Sequence, residues 1–289
     1  MTGAPGPLRR WVLAARPRTL PAALVPVLVG ASLVRPAPIE WLNSALCVLV
    51  ALALQIGTNY ANDYSDGVRG TDAVRVGPFR LTASSLVEPS RVKYVAWAFF
   101  AFAAVAGLLL ASRTSWWLLL VGLTAILAGW FYTGGPIPYG YYGFGELFVL
   151  TYFGFVATVG TSYVQHLSFP GSSWWFGLAT GSMACALLEA NNLRDVEGDQ
   201  MSGKKPLAAR LGRARASWLY AVCVAGVVIG VVMGGEGLVG AVAIALYIPA
   251  LRMAFSSRNG RELLALLQAT ARTQLVLGGL LVATFLVTR

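Results

Sequence analysis

The sequence is poor in charge and in the residues that build disulfide frameworks and soft-metal sites. Only 12% of its 289 residues are charged, and it contains three cysteines and one histidine. Soluble domains carry about 25% charged residues, so this composition excludes an ordinary soluble protein. Cys47, Cys185 and Cys223 lie singly in apolar stretches, and His166 lies alone in a short loop. No disulfide framework or cysteine- and histidine-rich metal site is therefore expected.

Apolar residues take the place of the missing charge. They make up 57% of the chain, and the mean hydropathy is +0.66. Runs of about 20 apolar residues are long enough to cross a bilayer as helices. We therefore predict an all-α membrane protein that forms a single domain over residues 1–289, with about nine transmembrane helices. The predicted spans are 20–34, 41–61, 94–111, 115–133, 146–165, 173–192, 216–233, 237–255 and 273–288.

The basic residues are distributed unevenly between the two sides of the predicted membrane. The net charge is +10, and 19 of the 22 basic residues fall on the side of the N-terminus. The positive-inside rule places that side in the cytoplasm, and the expected location is the cell membrane. Membrane topology thus explains the positive charge without a nucleic-acid partner. Binding of anionic lipid or of an anionic substrate is the next explanation. The first span follows Arg9 and Arg10 as in a signal peptide, but we predict that it is retained.

Two clusters of Asn and Asp follow a helical spacing at the ends of two predicted spans. They are Asn59, Asp63 and Asp66 in NYANDYSD, and Asn192, Asp195 and Asp199 in NNLRDVEGD. At about 100° per residue, each cluster forms a strip of oxygen ligands along one helical face. Acidic residues at membrane spans suggest function by default, although solvated helix ends would explain each strip alone. Facing strips suit Mg²⁺, which is usually bound by one or two carboxylates plus substrate phosphates.

Basic residues follow each strip in the same cytoplasmic loops. Arg75 and Arg80 follow the first strip, and Lys204 and Lys205 follow the second. They either form plain salt bridges and topology signals, or they neutralise a diphosphate bound through metal. A third cytoplasmic loop, 134–145, is uncharged and reads GGPIPYGYYGFG. It cannot continue a helix, and its rings suit the membrane interface or the wall of an apolar cavity.

Four other side chains in or beside the predicted spans have two or more interpretations. Glu146 and Glu189 are expected to cap a helix, to pair, or to line a cavity. Tyr132 and Tyr163 are expected either to line a cavity or to pack at the membrane interface.

Five segments between residues 15 and 212 carry a family resemblance. They are ARPRTLPAALVPVLVG, NYANDYSDGVRGTD, GPFRLTAS, YTGGPIPYGYYGFGE and NNLRDVEGDQMSGKKPLAARLG. In these segments the chain resembles UbiA-type intramembrane prenyltransferases, and most of all the menaquinone-pathway branch that acts on 1,4-dihydroxy-2-naphthoate. The resemblance implies a fold of about nine transmembrane helices around a central cavity. One departure is that Gly70 stands where the family's next aspartate is usual, and Asp72 follows it.

The resemblance implies a Mg²⁺-dependent transfer of a polyprenyl group from a polyprenyl diphosphate in membrane lipid to the naphthoate acceptor. Loss of the acceptor's carboxylate would give demethylmenaquinone. The implied metal ligands are Asp63, Asp66, Asp195 and Asp199, with Asp72 in a supporting role. The implied substrate-binding residues are Asn59, Asn62, Asn192, Arg80, Lys205, Tyr132 and Tyr163. Lys204 and Arg75 are implied to stabilise the leaving diphosphate.

Other functions stay open at this point. The acceptor in place of the naphthoate would be 4-hydroxybenzoate, homogentisate or a sugar phosphate, because the sequence marks the donor site better than the acceptor site. A transporter or cation channel would use the strips as an ion path. Against that, both strips are predicted at the cytoplasmic face, whereas transporter sites lie near the bilayer midplane. Prenyl chain length and oligomeric state do not follow from the sequence.

Overall fold

The computed structural model describes residues 6–71, 79–256 and 262–288, and over these residues the fold is all-helical, without strands. Short 3₁₀ turns, Pro17–Thr19 and Tyr139–Tyr142, precede the second and sixth helices. The helices are α1 (Pro7–Ala14), α2 (Pro21–Ser32), α3 (Trp41–Val68), α4 (Pro89–Arg113), α5 (Leu118–Phe131), α6 (Gly145–His166), α7 (Gly171–Ser202), α8 (Leu207–Leu211), α9 (Arg213–Met233), α10 (Gly237–Ser256) and α11 (Leu263–Thr288). The predicted all-α class is confirmed.

Six of these helices, α3, α4, α6, α9, α10 and α11, are long and apolar enough to cross a membrane. The segment Pro7–Thr19 and α2 together pass the same test as a seventh span, bent by 51°. Each of the nine predicted segments overlaps one helix, but α5 has only 14 residues and α7 is polar over its C-terminal part. The chain is therefore an integral multi-pass membrane protein, and the number nine stays a prediction.

Two helices continue well past their predicted membrane ends. The spans were predicted to end at residues 61 and 192, whereas α3 continues to Val68 and α7 to Ser202. Both Asn/Asp strips therefore lie within unbroken helices rather than in loops. Large apolar side chains are exposed on the outer surface, such as Leu123 at 54% and Leu238 at 82%, as expected of surface that faces lipid.

The helices pack in two groups that are joined by α2 and α6. In one group, α3 packs against α4 and α5. In the other, α7 packs against α9 and α11, and the largest apolar core lies among α2, α7, α9, α10 and α11. The two strip-bearing helices, α3 and α7, thus belong to different groups. This division leaves a cavity between them.

Glycines allow α6 and α7 to cross closely beside that cavity. Part of α6, Leu150–Val159, is π-helical, a local form that is frequent at functional sites. A Cβ atom on Gly154 would lie 2.5 Å from the carbonyl oxygen of Gly177 and 2.8 Å from Cα of Gly181. Small residues of this kind let membrane helices approach each other's backbone.

Gly154→Ala is expected to destabilise the protein by about 1–3 kcal/mol, because the added methyl group meets backbone atoms that cannot rotate away. Gly279→Ala is the matched control, since a Cβ atom there has no neighbour within 4 Å. Thermal melting of both purified variants in one detergent measures the difference. Equal melting midpoints for Gly154→Ala and the unmodified chain would contradict the close crossing.

Candidate active site

A cavity of about 820 Å³ lies between the two helix groups. Most of its wall is apolar and comes from α2, α3, α5 and α6, with the aromatic side chains of Tyr132, Tyr139, Phe148 and Tyr152. One part is polar, and the C-terminal ends of α3 and α7 form it together with neighbouring loops. The volume falls within the roughly 300–1,000 Å³ of ligand pockets. The shape and polarity suit a ligand with a charged end and a long apolar part.

The polar part of the cavity carries an excess of positive charge. Five cationic and three anionic side chains line the cavity among the described residues: Arg16, Arg18, Arg80, Arg194 and Lys204, and Asp66, Asp195 and Asp199. Low-dielectric walls focus the field of such charges, so the polar part attracts polyanions. The C-terminal ends of α3 and α7 add the negative ends of two helix dipoles, which favour a cation beside them.

The two helices present the same spacing of polar residues to the cavity. The lining residues are Asn59, Asn62 and Asp66 on α3, and Asn192, Asp195 and Asp199 on α7. In each helix they stand at positions i, i+3 and i+7, which fall on one face. The structure therefore brings both strips to one cavity.

Asp63 lies outside this arrangement, in contrast to its predicted place among the metal ligands. Its side chain is fully buried and does not line the cavity. Its Oδ2 atom accepts the backbone N–H of Leu81 at 2.8 Å, and its Oδ1 atom accepts that of Thr82 at 2.9 Å. The physical reason is a contact between distant segments rather than helical spacing, because the loop that carries Leu81 and Thr82 packs on this part of α3 and donates two backbone N–H groups to the carboxylate. Its carboxylate ties the loop before α4 to α3.

This tie positions Arg80, which precedes Leu81. A Cβ atom on Gly67 would lie 2.3 Å from Cγ2 of Thr82, so the loop packs directly on the helix. Arg80 is buried there, and its Nη2 atom lies 3.4 Å from Oδ2 of Asp66. Asp63 thus acts on the cavity through the placement of Arg80.

Asp63→Asn is expected to lower the free energy of unfolding by about 1–3 kcal/mol, because the new amide group meets a buried backbone N–H with a donor instead of an acceptor. Glu197→Gln is the control, since that side chain is 72% exposed. Thermal melting compares the two variants. A stable Asp63→Asn protein would contradict the role of Asp63 as the loop tie.

Asp66 lies in the cavity wall and is held by three donors. Lys204 Nζ lies 2.9 Å and Arg80 Nη2 lies 3.4 Å from its Oδ2 atom. The phenol of Tyr141 donates to its Oδ1 atom at 2.6 Å. Burial, followed by the charge of Asp66, raises the pKa of the Tyr141 phenol above its ordinary value. The phenol therefore keeps its proton and remains a donor.

Asp195, on the opposite wall, is held by the residue that precedes it. Arg194 donates from Nε and from Nη2 to the two carboxylate oxygens of Asp195, at 2.7 Å each. Bidentate pairs of this kind are strong and fix the plane of both groups. The Arg194 side chain has no exposed surface, and its Nη1 atom has no acceptor among the described residues. Arg194 stands inside the second strip but is not among the site residues predicted from the sequence.

Asn192 connects the second strip to two glutamates, the buried Glu189 and the half-buried Glu146. Its Nδ2 atom donates to Oε1 of Glu146 at 3.1 Å and to Oε1 of Glu189 at 3.3 Å. Neither glutamate lines the cavity. Of the predicted alternatives, pairing therefore describes them, since each accepts a hydrogen bond from Asn192.

The other predicted residues divide between the cavity and other places. Tyr132 lines the cavity, as do Tyr139 and Tyr141 from the uncharged loop, so this loop forms a cavity wall. Lys205 is exposed and turned away, whereas its neighbour Lys204 is buried at the cavity. Asp72 and Arg75 lie outside the described residues.

Tyr163 is also absent from the cavity lining, which corrects the prediction that it binds substrate. Its hydroxyl accepts Trp117 Nε1–H at 3.2 Å, and its ring stacks on Phe169 with centroids 4.6 Å apart. These contacts agree with the other predicted alternative for Tyr163, which is packing at the membrane interface. The π-helical stretch of α6 precedes Tyr163 and rotates the residues after it around the helix axis. A regular period of 3.6 residues therefore predicts the wrong side of α6 for Tyr163.

The residues at the polar part fit a hard divalent cation that is shared with a ligand. Within the described ranges, no group of three His, Cys, Asp or Glu side chains is arranged to hold a metal by itself. Mg²⁺ commonly keeps waters and takes its other ligands from one or two carboxylates and from phosphates. Asp66 on one wall and Asp195 and Asp199 on the other supply such carboxylates. A metal here would depend on a phosphorylated ligand to complete its coordination.

Comparisons with known proteins agree with this architecture. The family model described as the UbiA prenyltransferase family matches residues 23–286. A 1,4-dihydroxy-2-naphthoate octaprenyltransferase of Mycobacterium tuberculosis is 47% identical over 281 residues, which cover 92% of this chain and 93% of that protein. The protein of the same name from Escherichia coli is 33% identical, over 75% of this chain and 73% of its own length.

Solved structures share the fold at low sequence identity. A UbiA homolog from Aeropyrum pernix K1 has a TM-score of 0.67 and 16% identity, and covers 94% of this chain and 96% of its own. A UbiA homolog from Archaeoglobus fulgidus bound to GPP and Mg²⁺ has a TM-score of 0.64 and 15% identity, over 95% and 99% of the two chains.

Proposed function

The chain belongs to the UbiA prenyltransferase family, and we propose from this premise that its cavity joins a polyprenyl group to a naphthoate ring. The enzyme transfers the polyprenyl group from an allylic polyprenyl diphosphate to 1,4-dihydroxy-2-naphthoate. The acceptor loses its carboxylate, and the direct product is the prenylated dihydroxynaphthalene, demethylmenaquinol, which a separate two-electron oxidation converts to demethylmenaquinone. The names of relatives that match nine tenths of the chain support this acceptor.

The observation that carries the proposal is the division of one cavity into a charged part and an apolar part. The charged part has the excess cations and the three aspartates that a metal–diphosphate group needs. The apolar part is lined by aliphatic and aromatic side chains, which accept an isoprenoid chain. A donor with a diphosphate head and a hydrocarbon tail fits both parts at once.

We propose that Asp66, Asp195 and Asp199, assisted by Asn59, Asn62 and Asn192, hold Mg²⁺ on the diphosphate. When bound, Mg²⁺ neutralises charge that develops on the departing diphosphate. Arg80 and Lys204, which already lie beside Asp66, provide further donors to the same oxygens. Preorganised cations of this kind lower the barrier to breaking the allylic C–O bond, because they stabilise the leaving group without reorganising.

The apolar part of the cavity protects the allylic cation that this bond cleavage leaves. Tyr132, Tyr139, Phe148 and Tyr152 line it with aromatic side chains, which exclude water and whose π-systems attract a cation electrostatically. The electron-rich ring of the acceptor then forms the new C–C bond, and the carboxylate departs as carbon dioxide. The diphosphate keeps the electron pair of the broken C–O bond.

We propose that the charged part of the cavity lies at the cytoplasmic side of the cell membrane. The uneven distribution of basic residues supports this orientation. The donor's tail would then extend from a water-accessible diphosphate into the hydrocarbon region of the membrane, where each buried CH₂ is worth about 0.8 kcal/mol.

An assay of the purified chain in detergent or lipid tests the proposal. With Mg²⁺, a polyprenyl diphosphate and 1,4-dihydroxy-2-naphthoate, we expect a prenylated product, diphosphate and carbon dioxide in equal amounts, and EDTA should stop the reaction. Parallel reactions with 4-hydroxybenzoate and homogentisate decide the acceptor. Turnover that EDTA leaves unchanged would refute the metal role, and faster turnover of another acceptor would refute the naphthoate assignment.

A further inference from the structure

We propose that Lys204 is a resident counter-ion of Asp66, which Tyr141 holds in place until metal and diphosphate arrive together. The inference rests on the proposed function, and it assigns a positioning role to Tyr141. It explains why Lys204 already pairs with Asp66, the carboxylate that we propose as a metal ligand.

The contacts around Asp66 place Lys204 where it competes with a metal ion. Lys204 Nζ lies 2.9 Å from Oδ2 of Asp66, and the two side chains are only 10% and 3% exposed. Arg80 Nη2 already lies 3.4 Å from the same Oδ2 atom, so a metal bound there would be a third cation, and its charge would repel the ammonium group in a medium that screens poorly. A metal that binds Oδ2 therefore takes the place of the nearer cation, Lys204.

Tyr141 fixes both partners of this ion pair. Its phenol donates to Oδ1 of Asp66 at 2.6 Å, and its ring face lies 4.9 Å from Lys204 Nζ. Its carbonyl oxygen accepts the backbone N–H of Lys205 at 3.0 Å, so the loop after α7 is tied to the loop that carries Tyr141. One aromatic residue thus positions the carboxylate, the ammonium group and the backbone beside it.

The chemistry of lysine suits an exchange of partners. A buried ammonium group that loses its carboxylate is left as an uncompensated charge, so metal alone gains little by displacing Lys204. A diphosphate supplies new anionic oxygens for the displaced ammonium, which sits on a flexible stem. Arg194, by comparison, is paired with Asp195 by two hydrogen bonds of 2.7 Å that fix the plane of both groups, and each carboxylate oxygen of Asp195 keeps a second lone pair for a metal. Lys204 therefore moves from Asp66 to a phosphate oxygen when both ligands bind.

This exchange couples the two binding events. Metal binds weakly alone and tightly with diphosphate, and the coupling is reciprocal by thermodynamic necessity. Removing the charge of Lys204 should have opposite effects on the two states. It should tighten the binding of metal alone, and it should remove most of the gain that diphosphate brings. A lysine that merely binds diphosphate would weaken the ternary complex without tightening metal alone.

The test is a titration of the purified full chain with Mn²⁺, followed by its EPR signal. It is run alone and with geranyl thiolodiphosphate, with correction for the metal–analogue complex in solution. In the unmodified chain we expect the analogue to raise metal affinity about tenfold or more. Lys204→Gln should bind Mn²⁺ alone about fivefold more tightly or better, and should lose most of the coupling. Tyr141→Phe should also tighten the binding of Mn²⁺ alone, but by a smaller factor than Lys204→Gln.

Two variants serve as controls. Lys205→Gln removes the neighbouring exposed ammonium and should leave both affinities unchanged. Lys204→Arg keeps a cation on Asp66 and should keep metal-alone binding weak, which preserves the test if Lys204→Gln fails to fold. Metal-alone binding that is equal in the unmodified chain and Lys204→Gln, or equally tightened in Lys204→Arg, would overturn the exchange. An unmodified chain that binds neither Mn²⁺ nor the analogue would overturn the proposed function itself.

Discussion

Asp66→Asn and Asp199→Asn are each expected to lower kcat/KM for prenyl transfer by about 100-fold or more. Both carboxylates line the cavity, one from α3 and one from α7. An amide carries no charge, so each variant weakens the hold on metal and diphosphate where charge develops during C–O cleavage. Initial rates with saturating acceptor, at several concentrations of Mg²⁺, measure the loss.

Glu197→Gln is the matched control for Asp199→Asn. Glu197 lies two residues away on the same helix, but its side chain is 72% exposed and pairs with Arg213. Its activity should stay within about twofold of the unmodified chain, because exposed pairs contribute little. If Asp199→Asn and Glu197→Gln retain equal activity while both remain folded, the cavity strip of α7 does not hold the diphosphate.

Gly122→Phe is expected to reduce the use of a long polyprenyl diphosphate by about 100-fold or more, and to spare dimethylallyl diphosphate. Gly122 lines the cavity on α5, and a Cβ atom there has no neighbour within 4 Å. A phenylalanine ring would take the space of roughly one isoprene unit. Losing four or five buried carbons, at about 0.8 kcal/mol each, corresponds to two orders of magnitude or more.

Leu123→Phe is the matched control for the cavity substitution. Leu123 is the next residue on α5, but it is 54% exposed on the outer surface and does not line the cavity. Its variant should use long and short donors as the unmodified chain does. An equal loss of both donors in Gly122→Phe, or an unchanged ratio between them, would show that the isoprenoid chain lies elsewhere.

The all-helical class and the pairing of the two strips followed from the sequence because both depend on local periodicity. Long apolar runs predicted the helices, and spacings of three, four and seven residues predicted one polar face on each of two helices. The uneven distribution of basic residues predicted that both strips lie on the cytoplasmic side of the membrane. The structure brings them to one cavity, as expected from that argument.

The places where prediction and structure differ depend on contacts between distant segments. A helical strip does not distinguish Asn62 from Asp63, and what separates them is the loop near Leu81 that packs on Gly67. Lys204 and Lys205 are adjacent and chemically equal in the sequence. Gly203 ends α7 in the left-handed region, at a φ of 77°, and the turn buries Lys204 and exposes Lys205. Neither outcome is encoded in residue spacing.

The binding of the metal is the most direct test of the central claim, that α3 and α7 hold one metal–diphosphate group between them. Crystals of the chain with Mn²⁺ and geranyl thiolodiphosphate would locate the metal by its anomalous scattering. We predict a metal ion about 2.0–2.2 Å from a carboxylate oxygen of Asp66 on one wall and from a carboxylate oxygen of Asp195 or Asp199 on the other, with phosphate oxygens of the analogue between them. Metal that contacts a single helix, or a diphosphate bound away from both strips, would contradict the account.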